Sequence, residues 1–154
     1  MSDKTISEDA IVIERTFNAN LDLVWQMWTQ PEHFKQWYGP QGFSVPVADM
    51  DVRVGGKRVI CMESPDGSMK MWTTGEYTEL VPKERLAYTE SMADENGNVV
   101  ENSPMPTTTV IVQLEDLGER TKMTMTHVGV PADSPGKSGW EQAFTKLEAY
   151  IPTV

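Results

Sequence analysis

The sequence predicts an α+β fold: seven strands in an antiparallel meander, one long C-terminal helix to cover them, and two short helices after the first strand. Three observations carry this. Strand-like alternation recurs from Ile11 onward with only short turns between segments, and parallel neighbours would need long crossovers. A single long apolar stripe lies near the C-terminus. Two brief helical stretches meet at Pro31.

Taken in order, Ile11, Ile13, Arg15 and Phe17 alternate with Val12, Glu14 and Thr16, which makes the first strand. Asn20 is placed to cap a helix carrying Leu21, Val24, Trp25 and Trp28 on one face. Pro31 ends that helix near Gln30 and opens a second through Phe34 and Trp37. Six strands are expected next: 43–54, 57–63, 69–80, 85–92, 107–114 and 121–128. Pro46 assigns the first of these to an edge or a bulge. Gly55-Gly56 is a tight turn, and Ser64-Pro-Asp-Gly-Ser is another. The polar connection 93–106 reads as a hairpin loop or a mobile lid. Ser134-Pro135 should cap the last helix, whose stripe holds Trp140, Ala143, Phe144, Leu147, Tyr150 and Ile151 up to Pro152.

With 154 residues, the chain is expected to form a single domain, ordered over about 9–152. Its net charge of −10 is spread over both halves, which disfavours nucleic acid and anionic membrane surfaces. The start is polar and acidic, without an apolar signal core, and no apolar run approaches a membrane span, so a cytoplasmic location is expected. Cys61 stands alone, which excludes an intrachain disulfide or a four-thiolate metal site. Ten methionines and five tryptophans are an unusual supply of large, adaptable side chains.

Several segments resemble the homologues of the activator of heat-shock protein 90 ATPase, a branch of the START-like superfamily with the helix-grip fold of the birch pollen allergen. The carrying residues are Ile13-Glu-Arg-Thr-Phe and the stretch from Val24-Trp-Gln-Met-Trp to Trp37-Tyr-Gly-Pro. Asp51-Val-Arg-Val-Gly-Gly, Pro65-Asp-Gly, Gly75-Glu-Tyr-Thr-Glu-Leu-Val-Pro-Lys-Glu-Arg-Leu and Gly139-Trp through Leu147 complete the set. The resemblance implies a seven-stranded antiparallel sheet wrapped around the C-terminal helix, with an internal pocket. Superfamily relatives bind lipids, sterols, polyketides or plant hormones, and a few are cyclases or hydroxylase components.

Strand parity nominates the pocket's lining. Met123, Met125 and His127 share a face, as do Tyr88, Glu90 and Met92; Val112 joins a third, and Trp140, Phe144 and Leu147 come from the helix. The same residues would equally make a filled core. Arg15 and Glu90 stand on otherwise apolar faces and are either polar anchors for a ligand or paired elsewhere. His127 is either a pocket base or a hydrogen-bonding strand residue, and His33 reads as a solvated helix residue. Trp28 and Trp37 either gate the pocket or pack the short helices on the sheet.

Neither histidine has metal-ligand spacing, no Gly-x-Ser-x-Gly elbow is present, and Gly55-Gly56 lacks a phosphate-binding pattern, so no metal, cofactor or catalytic residue is assigned. Three functions follow. The first is binding of a small apolar molecule. The second is a chaperone-accessory or stress-related interaction module, and the third a cyclase- or hydrolase-like enzyme using the same pocket. A monomer or weak homodimer is expected.

Overall fold

The computed structural model describes residues 10–101 and 107–154. Strand β1 (Ala10–Phe17) is followed by helices α1 (Leu21–Thr29) and α2 (Pro31–Phe34). Six strands come next: β2 (Ser44–Met50), β3 (Lys57–Glu63), β4 (Lys70–Val81), β5 (Arg85–Ala93), β6 (Thr108–Asp116) and β7 (Thr121–Val128). Helix α3 (Gly136–Tyr150) and a 3-10 turn (Ile151–Thr153) end the chain. All seven strands form one antiparallel sheet in the order β1-β7-β6-β5-β4-β3-β2, consistent with the helix-grip fold.

Local chemistry explains most boundaries. Asn20 accepts the Leu23 amide in its side chain at 2.9 Å, and Gln30 is extended before Pro31, so α1 stops and α2 starts there. Strand β2 is an edge strand, and its register against β3 shifts between Ser44 and Val47, around Pro46. A proline at that place removes no ladder hydrogen bond.

Four boundaries differ from expectation. Helix α2 ends at Phe34 instead of running on to Trp37, because residues 35–37 continue only as turns, with the Trp37 and Tyr38 amides both donating to the Phe34 carbonyl. Strand β2 ends at Met50, because residues 51–56 form a compact loop closed by Asp51 N to Lys57 O at 3.0 Å and Gly56 N to Arg53 O at 2.8 Å. A side chain at Gly56 would strike the Asp51 carbonyl at 2.0 Å, so the loop requires glycine there. Strand β6 continues past Leu114 to Asp116, because Glu115 and Asp116 pair with Lys122 and Thr121. Helix α3 starts at Gly136 without a side-chain cap. The Ser134 carbonyl already accepts the Lys137 amide, and its hydroxyl has no hydrogen-bond partner among the described residues. Of the connection read as a hairpin loop or lid, residues 94–98 make a turn on Asp94, while 102–106 lie outside the described residues.

The core lies between the concave face of the sheet and α3, with α1 and α2 filling one end. Phe144 of α3 is its centre, with ring centroids 5.5–6.4 Å from Phe17, Trp28, Trp37 and Trp140. Burying such rings removes a large apolar area from water, and their tilted and edge-on contacts add to it. No helix among the described residues is long and apolar enough to cross a membrane.

Candidate functional site

Small residues on α3 open the interior. Gly136, Gly139 and Ala143 recur at i, i+3 and i+7, so they share a face, and Trp140 flanks them. Where larger side chains would meet the sheet, a cavity of about 180 Å³ remains, open to solvent on one side. Its other walls are Tyr38, Gly39 and Pro40 after α2, Met62 of β3, Glu90 of β5 and His127 of β7. The Lys146 ammonium holds the 38–43 loop in place, donating to the carbonyls of Pro40 (3.0 Å), Tyr38 (3.3 Å) and Phe43 (3.5 Å). Burial depresses its pKa.

The polar groups cluster at one end. Tyr38 donates its hydroxyl to Glu90 Oε2 at 3.1 Å, and burial first, then the neighbouring Glu90 charge, raises the phenol well above its ordinary pKa. Trp140 Nε1 donates to His127 Nδ1 at 3.0 Å. An indole can only donate, so Nδ1 is the unprotonated nitrogen and Nε2 carries the hydrogen. Nε2–H is then directed at Thr108 Oγ1, 2.8 Å away, and that hydroxyl stands 3.4 Å from the Glu90 carbonyl. Burial lowers the His127 pKa and outweighs the opposing pull of Glu90, so the ring is neutral at pH 7. With both nitrogens committed, the imidazole offers no free lone pair for general-base work.

Of the residues nominated from the sequence, Glu90, His127 and Trp140 meet at this cavity. Trp28, Trp37, Tyr88, Val112, Met123, Met125, Phe144 and Leu147 are almost fully buried in the surrounding core, and Met92 is half-buried on β5. Trp28 and Trp37 pack edge-on at 4.9 Å, and the Trp37 indole donates to Met27 O, so they are part of the packed core rather than a gate. Arg15 points inward but reaches out along α3, bonding Thr145 Oγ1 at 3.2 Å and pairing with Glu148 at 3.5 Å. A long side chain on an edge strand can snorkel to solvent in this way. His33 is likewise partnered: its Nδ1 lies 2.7 Å from the Tyr150 hydroxyl at the end of α3.

The interior arginine is a different one. Arg58 of β3 is 3% exposed, and none of its guanidinium nitrogens has a hydrogen-bond partner among the described residues. Its guanidinium carbon lies 3.5 Å from the Tyr88 ring centroid, 5.3 Å from that of Phe34 and 5.6 Å from that of Tyr77. Three ring faces thus stabilise a charge that no carboxylate of the described residues bonds. Sequence reasoning overlooked Arg58 because Lys57 beside it suggests a solvated strand start, although Arg58 shares parity with buried Ile60. Tyr38, Gly139 and Lys146 lie in stretches that carry the family resemblance but, like Met62 and Gly136, are not nominated for the pocket from the sequence. Among the described residues, no group of three or more His, Cys, Asp or Glu side chains is placed to hold a metal ion.

The family model described as Activator of Hsp90 ATPase homolog 1-like protein matches residues 18–152. A crystal structure of a protein from Chromobacterium violaceum is similar at 25% identity and a TM-score of 0.80, covering 93% of this chain and 96% of that one. Solution structures from Arthrobacter aurescens (25% identity, TM-score 0.82, 97% and 89% covered) and Staphylococcus epidermidis (25%, 0.79, 95% and 91%) are similar too. No curated protein matches the chain.

Proposed function

The chain belongs to the family of Activator of Hsp90 ATPase homolog 1-like proteins, and from that premise we propose that it binds a small, largely apolar molecule between α3 and the sheet. The observation that carries this reading is the cavity itself. It has about 180 Å³, Gly139, Ala143, Pro40, Met62 and Trp140 among its walls, and a joined group of polar side chains in Tyr38, Glu90 and His127. Binding sites for small molecules commonly combine apolar walls with a few convergent polar atoms.

An interaction role has less behind it. The exposed large apolar side chains, such as Val12 on β1, Val54 before β3 and Leu117 after β6, are spread over separate elements. Scattered single residues of this kind need no partner.

The test is titration with toluene, followed by the Trp140 indole N–H resonance and by calorimetry, in the wild type and in Gly139→Leu. Saturable binding that shifts Trp140, and that is lost in Gly139→Leu because the added isobutyl group fills the cavity, supports the reading. Equal binding by both proteins overturns it, as does a wild type that binds neither toluene nor any of its one-ring polar analogues.

A further inference from the structure

The three hydrogen-bond donors that line the cavity's polar end are in use, while the buried Arg58 guanidinium and Tyr88 hydroxyl, which do not line it, have no hydrogen-bond partner among the described residues. Tyr38 O–H goes to Glu90 Oε2, Trp140 N–H to His127 Nδ1, and His127 Nε2–H to Thr108 Oγ1. Glu90 Oε1 is 3.9 Å from His127 Nε2, too far for a hydrogen bond, and no other donor reaches it among the described residues. The Glu90 side chain is only 18% exposed, so water screens it weakly. What the cavity presents is therefore one carboxylate oxygen with open acceptor capacity and, among the described residues, no lysine or arginine paired with it. Tyr38 and Trp140, with ring centroids 5.7 Å apart, wall the same space with aromatic faces and edges.

Resting on the binding reading above, we propose that the ligand is a small lipophilic amine, bound as its ammonium, with an N–H directed at Glu90 Oε1 and its apolar body along Gly139, Ala143 and Met62. A charge-assisted hydrogen bond to a half-satisfied carboxylate is the interaction this site lacks, and aromatic side chains favour a cation over an anion. A carboxylate ligand would face Glu90 with no donor to receive it. An alcohol would satisfy Oε1 but bring it no opposite charge.

The experiment compares ligands of one shape: benzylamine, benzyl alcohol, toluene and benzoate, each titrated calorimetrically at pH 7 into the wild type and into Glu90→Gln. The expected result is that benzylamine binds at least about tenfold tighter than toluene or benzyl alcohol, that benzoate does not bind, and that the amine-to-toluene ratio collapses towards one in Glu90→Gln. Equal affinities of amine and toluene, an alcohol as tight as the amine, or preference for benzoate would overturn the amine assignment while leaving the cavity a binding site. Failure of toluene and all the others to bind overturns the binding reading itself. Should Glu90→Gln not fold, the wild-type ranking decides alone.

Discussion

The Trp140 indole donates to His127 Nδ1 across 3.0 Å, so a residue of the covering helix dictates which imidazole nitrogen on β7 bears the hydrogen. Protonating His127 would turn Nδ1 into a second donor aimed at the indole N–H and break this join between helix and sheet.

A pH dependence follows. Burial places the folded pKa of His127 below its unfolded value near 6.5. Between those two values the unfolded chain binds more protons than the folded one, so stability falls as pH drops below about 6.5. It levels off once His127 itself protonates. Thermal melts from pH 8 to 4.5 should show this slope in the wild type and a flatter one in His127→Gln. Parallel slopes would mean that His127 is not the group responsible.

Arg58 pairs with rings instead of a carboxylate, so its replacement by an apolar side chain of similar length should be tolerated. Arg58→Met is expected to be neutral or to stabilise the fold by about 1–3 kcal/mol, because a buried charge is no longer desolvated. Arg58→Ala should instead cost about 2–4 kcal/mol through the cavity it leaves. Urea denaturation of both variants checks this. A Met variant destabilised as much as the Ala variant would show that the cation–π contacts outweigh the desolvation.

Two glycines should respond in opposite directions. A Cβ at Gly139 finds nothing nearer than Pro40 Cγ at 3.7 Å, so Gly139→Ala should gain roughly 0.5–1 kcal/mol of helix stability. At Gly75 of β4 the added carbon would lie 1.7 Å from the Thr89 carbonyl oxygen on β5. Gly75→Ala must therefore push two strand backbones apart, and a loss of about 2–4 kcal/mol is expected. Paired chemical melts measure both.

Lys146→Met removes the donor shared by the Tyr38, Pro40 and Phe43 carbonyls. Lys146 is half-buried, so the expected cost is modest, about 1–2 kcal/mol. Amide hydrogen exchange should rise specifically over residues 38–43. Unchanged protection there would show that the loop is held by other contacts, such as Gln41 N to Gln142 Oε1.

Strand phase was readable from residue order because burial on one face imposes a period of two: Met123, Met125 and His127 all face inward as their spacing requires. Helix limits set by Asn20 and Pro31 were readable for the same kind of reason, since capping and proline act locally. The cavity was not. It depends on which inward side chains are short where others are long, and Gly139 acquires that meaning only once Pro40 and Met62 stand across from it. Arg15 shows the complementary failure. Its parity was correct, but parity does not say how far along the helix a flexible guanidinium extends before it finds Glu148.

The sheet order has a consequence for biosynthesis. Every ladder but one joins strands adjacent in sequence, while β1 pairs with β7, Phe17 opposite Thr121 and Ala10 opposite Val128. As the chain leaves the ribosome, β2 through β6 can zip as successive hairpins, but β1 must wait for β7, the last strand of the sheet, to emerge. Closing that long loop is the slow, entropically costly step. Until it happens, the apolar residues Ile11, Ile13 and Phe17 lack their sheet partner, which makes β1 the strand most in need of protection.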